Sequence, residues 1–432
     1  MSSSDAVNFS LLPEAESYPH PGLSWLVELG FDLTVFSLYR VEKMLEPGCR
    51  PTPGALIISN HQRESDVPIV CATLCRRKGL RIFEPLPFFA MREDLLDRRA
   101  LANLLAKWPR PIAKTLGKIP LRWLFESVRT MPMRRLREFM LGDLIEALIE
   151  AGLGDAAPDA VLNARGQREV VAQMQILPEH LRDITREGMG PAWRTYWGLR
   201  RARLSALRKI ESDFRATVDT QLGSFAALLD RGHAVYMAPE GTISPTGRFG
   251  RVRAGPWRVS RRRATPALIL PLAVSYDALG PGRLRVVVHG AAPMRNPDLS
   301  DQCRFGDMLR KTLLRLCVLT PSHLLAWWVC HGPERFAETD LVRWLERGRD
   351  AAHHAGIGLD PLWLRISGAA LAKERLQWMR RKRLLERGAD GTWSNIWPRD
   401  TNPGWATPAA TVPYFVNLLM DFAPEFAQAL HL

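Results

Sequence analysis

The sequence predicts an α/β fold followed by a helical C-terminal region, on the strength of three observations. From residue 54 to about residue 293, short β-rich runs alternate with helical stretches, which is the pattern of an α/β domain. Between residues 123 and 229 the pattern is helical almost throughout, which predicts a helical insertion. From residue 299 onward the chain is again helical and carries tryptophans. We expect an N-terminal helical segment over 1–53, an α/β domain over 54–298 with its insertion at about 123–229, and a helical region over 299–432.

Four strands are predicted in the α/β domain by short apolar or β-branched runs that end at turn residues. They are Ala55–Ser59, Ala234–Ala238, Ala267–Val274 and Leu284–His289. Two helices are predicted in the insertion, Met133–Ala151 and Ala192–Asp230, each followed by a glycine that can end a helix. The second helix carries a set of basic residues, which form either a solvated face or an electropositive surface for lipid or an acidic carrier. These are Arg194, Arg200, Arg201, Arg203, Arg208, Lys209 and Arg215.

Composition indicates a globular protein that favours anionic partners. The chain has 432 residues, 46% of them hydrophobic, which allows one large core, or one core with a helical appendage. Its 59 Lys and Arg residues against 45 Asp and Glu give a net charge of +14. Phospholipid headgroups, acidic carrier proteins, phosphorylated substrates and nucleic acid all suit such a surface, so charge alone does not select among them. The six cysteines form no CxxC pair and no Cys/His spacing, which predicts reduced thiols in a cytosolic setting and no zinc.

The N-terminal sequence predicts neither secretion nor a membrane span. Residues 1–5 lack the basic start and apolar run of a signal peptide. The best candidate for a membrane segment, residues 23–39, contains Glu28 and Asp32 and is shorter than the roughly 20 apolar residues that a spanning helix needs. Two interpretations stay open for it. It is either a helix in a membrane interface, with Trp25 and Phe36 among its apolar residues, or a first helix packed on the core.

The strand Ala55–Ser59 leads directly into a histidine and a carboxylate that together suit proton transfer. Asp66 and Pro68 predict a helix start, so His61 falls in the loop between strand and helix. On one continuous helix, residues five apart point about 140° away from each other, whereas a loop lets the carboxylate approach the ring. An imidazole with one nitrogen held by a carboxylate keeps its other nitrogen basic and aimed at a hydroxyl. Taken alone, such a pair is more often structural than catalytic.

A second polar loop follows the strand Ala234–Ala238 with the sequence Pro239-Glu240-Gly241-Thr242. Glycine lets the backbone approach a ligand closely, while Glu240 and Thr242 can bind hydroxyls or brace the loop. Downstream arginines, among them Arg253, add positive charge that fits a phosphate. A third segment, Leu116–Arg122, places Arg122 after a short extended run. Each segment alone is compatible with an ordinary loop.

Taken together and in order, these segments resemble the four conserved blocks of the glycerolipid acyltransferase family, which makes phosphatidic acid and related lipids. His61 to Asp66 fits the His-x4-Asp element of the first block, and Phe88–Leu95 looks like the segment that follows it. Gly117–Arg122 looks like the second block, and Ile269–Leu272 resembles the fourth. The third block is matched by Pro239–Thr242 together with Arg253-x-Gly255. The resemblance covers about residues 54–293, apart from the insertion.

The resemblance implies a mixed-sheet acyltransferase domain. Its reaction would move a fatty acyl group from acyl-CoA or acyl-carrier protein to the hydroxyl of a lysophospholipid such as 1-acylglycerol 3-phosphate. His61 would act as the base, Asp66 would orient its ring, and backbone amides near the His61 loop would hold the oxyanion. The acceptor and its phosphate would be bound by Arg122, Glu240, Gly241, Thr242, Arg248 and Arg253. No metal and no cofactor beyond the acyl thioester is implied, and we expect a cytoplasmic protein associated with the inner face of a membrane.

The acceptor stays open, because the chain departs from the family at Ile243, where many members have arginine. The insertion is also longer than in the shorter family members. Three C-terminal segments look like parts of the helical tail of larger glycerol-3-phosphate acyltransferases, which makes glycerol 3-phosphate the alternative acceptor. They are Ser322–Trp328, Asp340–Trp344 and Tyr414–Asn417.

Three other classes of function compete with this interpretation. A serine hydrolase is disfavoured because the chain has no Gly-x-Ser-x-Gly elbow. A non-catalytic lipid- or membrane-binding protein could keep the same fold, although the intact His61 and Asp66 argue against it. Nucleic-acid binding depends only on charge such as the run Met379–Arg383, with no zinc finger or RNA-binding signature, so we expect no nucleic-acid partner.

Overall fold

The computed structural model describes residues 29–30, 32–33, 35–74, 77–78, 81–82, 87–92, 129–133, 141–190, 192, 198–295 and 297–430. The chain divides into two compact units. The first lies within residues 1–89, 123–130 and 225–432, and the second lies within residues 90–122 and 131–224.

A mixed sheet forms the centre of the fold, with strand order β1-β9-β8-β2-β7-β5-β6 and with β10 paired to β8. Its strands are β1 (Tyr39–Leu45), β2 (Leu56–Ser59), β5 (Phe88–Arg92), β6 (Thr130–Met133), β7 (Val235–Met237), β8 (Leu268–Asp277), β9 (Leu284–Gly290) and β10 (Met294–Arg295). A separate short hairpin pairs β3 (Arg77–Lys78) with β4 (Arg81–Ile82). The expected α/β class is therefore confirmed.

Strand β2 lies between two parallel neighbours, β7 and β8, and all four of its residues are buried. Strand β8 is antiparallel to β9 on its other side, which makes the sheet mixed. In open sheets, ligands bind beyond the carboxyl ends of parallel strands. Because β2 and β7 are parallel neighbours, the loops that follow them leave the sheet at the same edge.

The four predicted strands are all present, with ends that differ by one to three residues. The largest difference is at β8, which continues to Asp277. An additional strand, β1, was not predicted: the described residues between 29 and 38 are helical, and the chain turns into a strand at Tyr39. The strand pairs in parallel with β9 along its whole length, so a partner about 240 residues away in the sequence determines its conformation.

Thirteen labelled helices accompany the strands in the described residues. They are α1 (Asp66–Leu74), α2 (Leu141–Leu148), α3 (Pro158–Val161), α4 (Ala164–Met174), α5 (Arg186–Met189), α6 (Leu204–Asp230), α7 (Gly255–Arg262), α8 (Gln302–Leu316), α9 (Pro321–His331), α10 (Glu338–His354), α11 (Gly368–Arg381), α12 (Pro408–Phe422) and α13 (Pro424–Ala429). Short 3₁₀ helices cover Leu181–Asp183, Gly198–Arg201 and Pro361–Leu364.

Both helices predicted in the insertion start at residues that are not part of the α-helix. Met133 is the last residue of β6, and the described α-helix in the first predicted range is α2, which continues into a π-helical turn, Ile149–Leu153. The second predicted helix begins at Leu204. The second unit has its own apolar core, which includes Leu141, Leu144, Leu148, Val161, Val170 and Ile210.

One arginine of the predicted basic face has a structural role. Arg201 is buried, and its guanidinium donates two hydrogen bonds to Glu169, at 2.5 and 2.7 Å. Arg200, Arg203 and Arg208 are exposed, as a solvated face requires. The buried pair explains why Arg201 does not contribute to that face.

The described residues before β1 include one packed and three exposed large apolar side chains. Val35 is 2% exposed, whereas Leu33, Phe36 and Leu38 are 64%, 43% and 57% exposed. Trp25 lies outside the described residues. In the part of the chain that the structure describes, no helix is long and apolar enough to cross a membrane.

The predicted C-terminal helices are present, together with short strands that were not predicted. These strands are β11 (Val318–Leu319), β12 (Arg335–Phe336), β13 (Gly358–Leu359), β14 (Leu385–Arg387) and β15 (Trp393–Asn395). Buried ion pairs join the region to the main sheet: Arg375 donates to Asp277 of β8 at 2.7 Å, and Arg285 of β9 donates to Asp360. The C-terminal region therefore belongs to the same unit as β8 and β9.

Candidate active site

Two loops meet at the carboxyl edge of the sheet. The first, residues 60–65, joins β2 to α1 and carries His61; it is called the histidine loop below. The second, residues 238–254, joins β7 to α7 and carries Glu240; it is called the glutamate loop. The two loops are in direct contact, because the amide of Ser244 donates to the carbonyl of His61 at 3.2 Å.

The histidine loop begins at a side chain that continues the sheet. Strand β8 extends beyond the end of β2, and the Asn60 amide takes the place of the missing backbone partner. Val274 N donates to Asn60 Oδ1 at 2.7 Å, and Asn60 Nδ2 donates to Val274 O at 3.0 Å. Gln62 Nε2 donates to the same carbonyl at 2.9 Å. These bonds fix the backbone on both sides of His61 to β8.

The predicted pairing of His61 with Asp66 is present. His61 Nδ1 lies 3.2 Å from Asp66 Oδ2. The Asp66 side chain is fully buried at the first residue of α1, whereas the His61 side chain is 14% exposed. No described residue makes a hydrogen bond to His61 Nε2. One ring nitrogen is thus held by a carboxylate, and the other has no partner among the described residues.

The Asp66 carboxylate accepts from three further donors. Gln62 N and Arg63 N donate to Oδ2 at 2.5 and 2.8 Å. The hydroxyl of Tyr276 donates to Oδ1. Burial raises the pKa of Tyr276 well above its ordinary value, with the nearby Asp66 charge adding to the effect, so the hydroxyl remains a donor. Sequence reasoning missed Tyr276, although a tyrosine two residues beyond Val274 on the same face of β8 is the available signal.

Three of the histidine-loop amides that were expected to hold the oxyanion already donate to carboxylates of the protein. The amides of Gln62 and Arg63 are bound to Asp66, and His61 N donates to Glu240 Oε1 at 3.0 Å. These groups position the dyad and do not face a reacting carbonyl.

Glu240 links the two loops. The residue is only 4% exposed. Its Oε1 accepts a hydrogen bond from His61 N, and its Oε2 accepts one from Gly250 N at 2.7 Å. Burial raises the pKa of Glu240 to about 7, and the two amide hydrogen bonds partly offset that rise. The sequence predicts that Glu240 binds acceptor hydroxyls or braces the loop, and each of its oxygens accepts a hydrogen bond from a protein amide.

The other predicted acceptor residues lie along the glutamate loop. Gly241 adopts the left-handed conformation at φ 71°, and Thr242 is partly buried. Arg253 is exposed, and its Nε donates to Glu240 O at 3.4 Å. Arg248 is exposed and lies 3.8 Å from the carboxylate of Asp421. Arg122 lies outside the described residues.

Helix α12 holds the glutamate loop from the C-terminal region. Asn417 Nδ2 donates to Thr246 O at 2.9 Å, and the amide of Phe249 donates to Asp421 Oδ2. Gly247, at φ 86°, passes so close to α12 that an added Cβ would lie 2.2 Å from the carbonyl oxygen of Tyr414. The segment Tyr414–Asn417, which the sequence analysis singled out, therefore contacts the candidate site directly.

Comparison with known proteins gives no assignment: no protein-family model matches this chain, and no curated protein sequence matches it. Among the described residues, no group of three or more His, Cys, Asp or Glu side chains is placed to hold a metal ion. The described residues provide a buried carboxylate, an imidazole held by it through one ring nitrogen, and two loops joined by hydrogen bonds.

We predict that Gly247→Ala destabilises the protein more than Gly282→Ala. Both glycines have positive φ, at 86° and 81°, so each alanine incurs a backbone strain of about 1–2 kcal/mol. Only Gly247 also meets a neighbour, the Tyr414 carbonyl, whereas nothing lies within 4 Å of a Cβ at Gly282. The clash adds about 1–3 kcal/mol. Equal losses of unfolding free energy in urea titrations would contradict this account of the contact with α12.

We predict that Glu240 makes the protein less stable as the pH rises. Because the folded pKa of about 7 exceeds the ordinary value of 4.5, the folded state binds the proton more tightly. Its contribution is fully present below pH 4.5 and is lost as the pH rises through 7, on the order of 3 kcal/mol in total. Glu240→Gln should flatten the profile of unfolding free energy across this window. The exposed Glu386→Gln should leave it unchanged, and parallel profiles for wild type and Glu240→Gln would refute the prediction.

Proposed function

We propose that this protein is an acyltransferase. It transfers a fatty acyl group from an acyl thioester, acyl-CoA or acyl-carrier protein, to the hydroxyl of a lysophospholipid such as 1-acylglycerol 3-phosphate, in phospholipid biosynthesis. The observation that supports this proposal is the His61 ring, which is held through Nδ1 by the buried Asp66 and is partly exposed, with no described protein partner at Nε2.

The tautomer of His61 follows from its partner. An ionised carboxylate only accepts hydrogen bonds, so Nδ1 carries the proton and donates it to Asp66 Oδ2. Nε2 then holds the lone pair. This is the state in which an imidazole can take a proton from a hydroxyl group.

The proposed reaction has two proton transfers. Nε2 removes the acceptor's hydroxyl proton while the oxygen attacks the thioester carbonyl and forms the new C–O bond. The tetrahedral intermediate then collapses with cleavage of the C–S bond, and the imidazolium returns its proton to the departing thiolate. Asp66 stabilises the imidazolium between these two steps, as the aspartate does in other histidine-based acyl transfer.

Glycerol 3-phosphate is the second candidate acceptor, and one observation favours it. The segment Tyr414–Asn417, which looks like part of the tail of larger glycerol-3-phosphate acyltransferases, reaches the glutamate loop through Asn417. A tail that contacts the site can influence which acceptor the site admits.

A peripheral membrane location at the cytoplasmic face is part of the proposal. The exposed Phe36 and Leu38 stand beside the exposed Arg40, a combination that suits the boundary between acyl chains and anionic headgroups. The acyl chains of acyl-CoA and of a lysophospholipid are apolar, so a membrane surface suits the binding of both.

We predict that His61→Ala lowers acyl transfer by roughly a hundredfold to ten-thousandfold, because it removes the general base. The assay supplies labelled acyl-CoA with glycerol 3-phosphate, lysophosphatidate or other lysolipids in separate reactions, and His353→Ala, at an exposed helix position, is the control. Transfer at the normal rate by His61→Ala would end the proposal. Lipid binding by a wild-type protein that transfers to none of these acceptors would instead support a non-catalytic role.

We predict that Tyr276→Phe lowers kcat roughly tenfold with little change in KM, because Asp66 loses the donor at Oδ1 and holds the imidazole less firmly. The matched control is Tyr236→Phe. Tyr236 is also a buried tyrosine of the sheet, but its hydroxyl bonds to Ser59 Oγ at 2.7 Å and not to Asp66. Equal effects of the two variants on kcat would argue against a positioning role for Tyr276.

A further inference from the structure

Arg63, two residues after His61, holds its guanidinium against two aromatic rings. Its Cζ lies 4.4 Å from the ring centroid of Trp405 and 5.7 Å from that of Tyr276. The backbone amide of the same residue donates to Asp66 Oδ2, the oxygen that pairs with His61. Arg63 is therefore anchored at the candidate dyad by its backbone and is aimed by the aromatic pair.

The guanidinium of Arg63 has no anionic partner among the residues that the structure describes. No described carboxylate forms an ion pair with it, and no described acceptor takes a hydrogen bond from it. Other arginines of this unit are paired: Arg375 with Asp277, Arg285 with Asp360, and Arg310 with the carboxylate of Asp421. Arg63 is partly buried and still keeps its N–H donors for a ligand.

Stacking on an aromatic ring suits this task. Cation–π attraction holds the flat face of a guanidinium and leaves the N–H donors around its edge free. Those donors form a planar fork that matches two oxygens of a phosphate at once. Trp405 comes from the segment before α12, so the region that braces the glutamate loop also aims Arg63.

Arg63 also lies near Ile243, the position at which many members of the resembled family have arginine. The residue after Ile243, Ser244, donates its amide to the carbonyl of His61. The segments that carry Ile243 and Arg63 are therefore neighbours beside the dyad. The histidine loop thus carries a cation beside a glutamate loop that has isoleucine, and not arginine, at position 243.

We infer that Arg63 is a phosphate-binding residue of the substrate site and binds the phosphomonoester of the acyl acceptor. The inference rests on the proposed function and deepens it. It assigns recognition of the acceptor to a residue outside Arg122, Arg248 and Arg253, and it makes a phosphorylated acceptor a requirement. The phosphates of the acyl donor share this chemistry, so the test separates the two sources.

The test compares Arg63→Gln and Arg63→Lys with a control, Arg387→Gln. Arg387 also lies over a tryptophan, with Cζ 5.7 Å from the Trp393 ring, but it is exposed on β14. Steady-state kinetics would give KM for glycerol 3-phosphate or lysophosphatidate and, separately, for acyl-CoA. Calorimetry would give the affinity for inorganic phosphate with the full-length protein.

For Arg63→Gln we expect KM for the acceptor to rise roughly 10- to 100-fold, as loss of a charge-assisted hydrogen bond predicts. KM for acyl-CoA should stay within about twofold, and phosphate affinity should fall with the acceptor's affinity. Arg63→Lys keeps the charge without the fork, so it should give an intermediate KM. Arg387→Gln should behave as the wild type. Circular dichroism and thermal unfolding check that each variant is folded. If Arg63→Gln does not fold, the acceptor KM of Arg63→Lys tests the inference.

Two outcomes overturn the inference. Equal acceptor KM values for Arg63→Gln and Arg387→Gln would remove Arg63 from the acceptor site. A rise confined to KM for acyl-CoA would assign the site to the donor and refute the acceptor assignment.

Failure of the proposed function gives a different result. A wild-type protein that transfers no acyl group but binds phosphate through Arg63 would refute the acyltransferase and leave the phosphate site standing. A protein that transfers acyl groups equally well without Arg63 would refute only the site.

Discussion

The candidate site depends on the burial of one carboxylate, Asp66. A charge without solvent is costly unless hydrogen bonds surround it, and this carboxylate receives them from the His61 ring, from the amides of Gln62 and Arg63, and from Tyr276. The donors come from the histidine loop and from β8. Satisfying Asp66 therefore fixes the loop's shape and its register against the sheet, and the aimed imidazole follows from both.

A second buried carboxyl group, Glu240, likewise accepts hydrogen bonds from its surroundings and thereby fixes the neighbouring loop. Its side chain accepts hydrogen bonds from His61 N and Gly250 N, and so it joins the two loops directly. The outer side of the glutamate loop is held by α12 through Asn417 and Asp421. The C-terminal region is thus part of the site's framework, and the ion pairs of Arg375 and Arg285 bind that framework to the sheet.

What the sequence could predict was local. The strands β2, β7, β8 and β9 follow from short apolar runs, and the pairing of His61 with Asp66 follows from the short loop that joins them. Contacts between distant parts of the chain could not be predicted. Tyr276 lies 210 residues from Asp66, and Val274 lies 214 residues from Asn60. The conformation of β1 depends on β9, and the role of Glu240 depends on which amides approach it; no pattern in one segment encodes either.

The contacts of α12 with the glutamate loop bear on when the site can form during synthesis. A ribosome delivers His61 and Glu240 long before residues 405–421, and domains generally begin to fold from the N-terminal side. A nascent chain that has emerged only through β9 can build the sheet, but it lacks Trp405, Asn417 and Asp421. Such a chain holds the dyad in an unbraced loop. The order of the residues thus delays the braced form of the site until α12 has emerged.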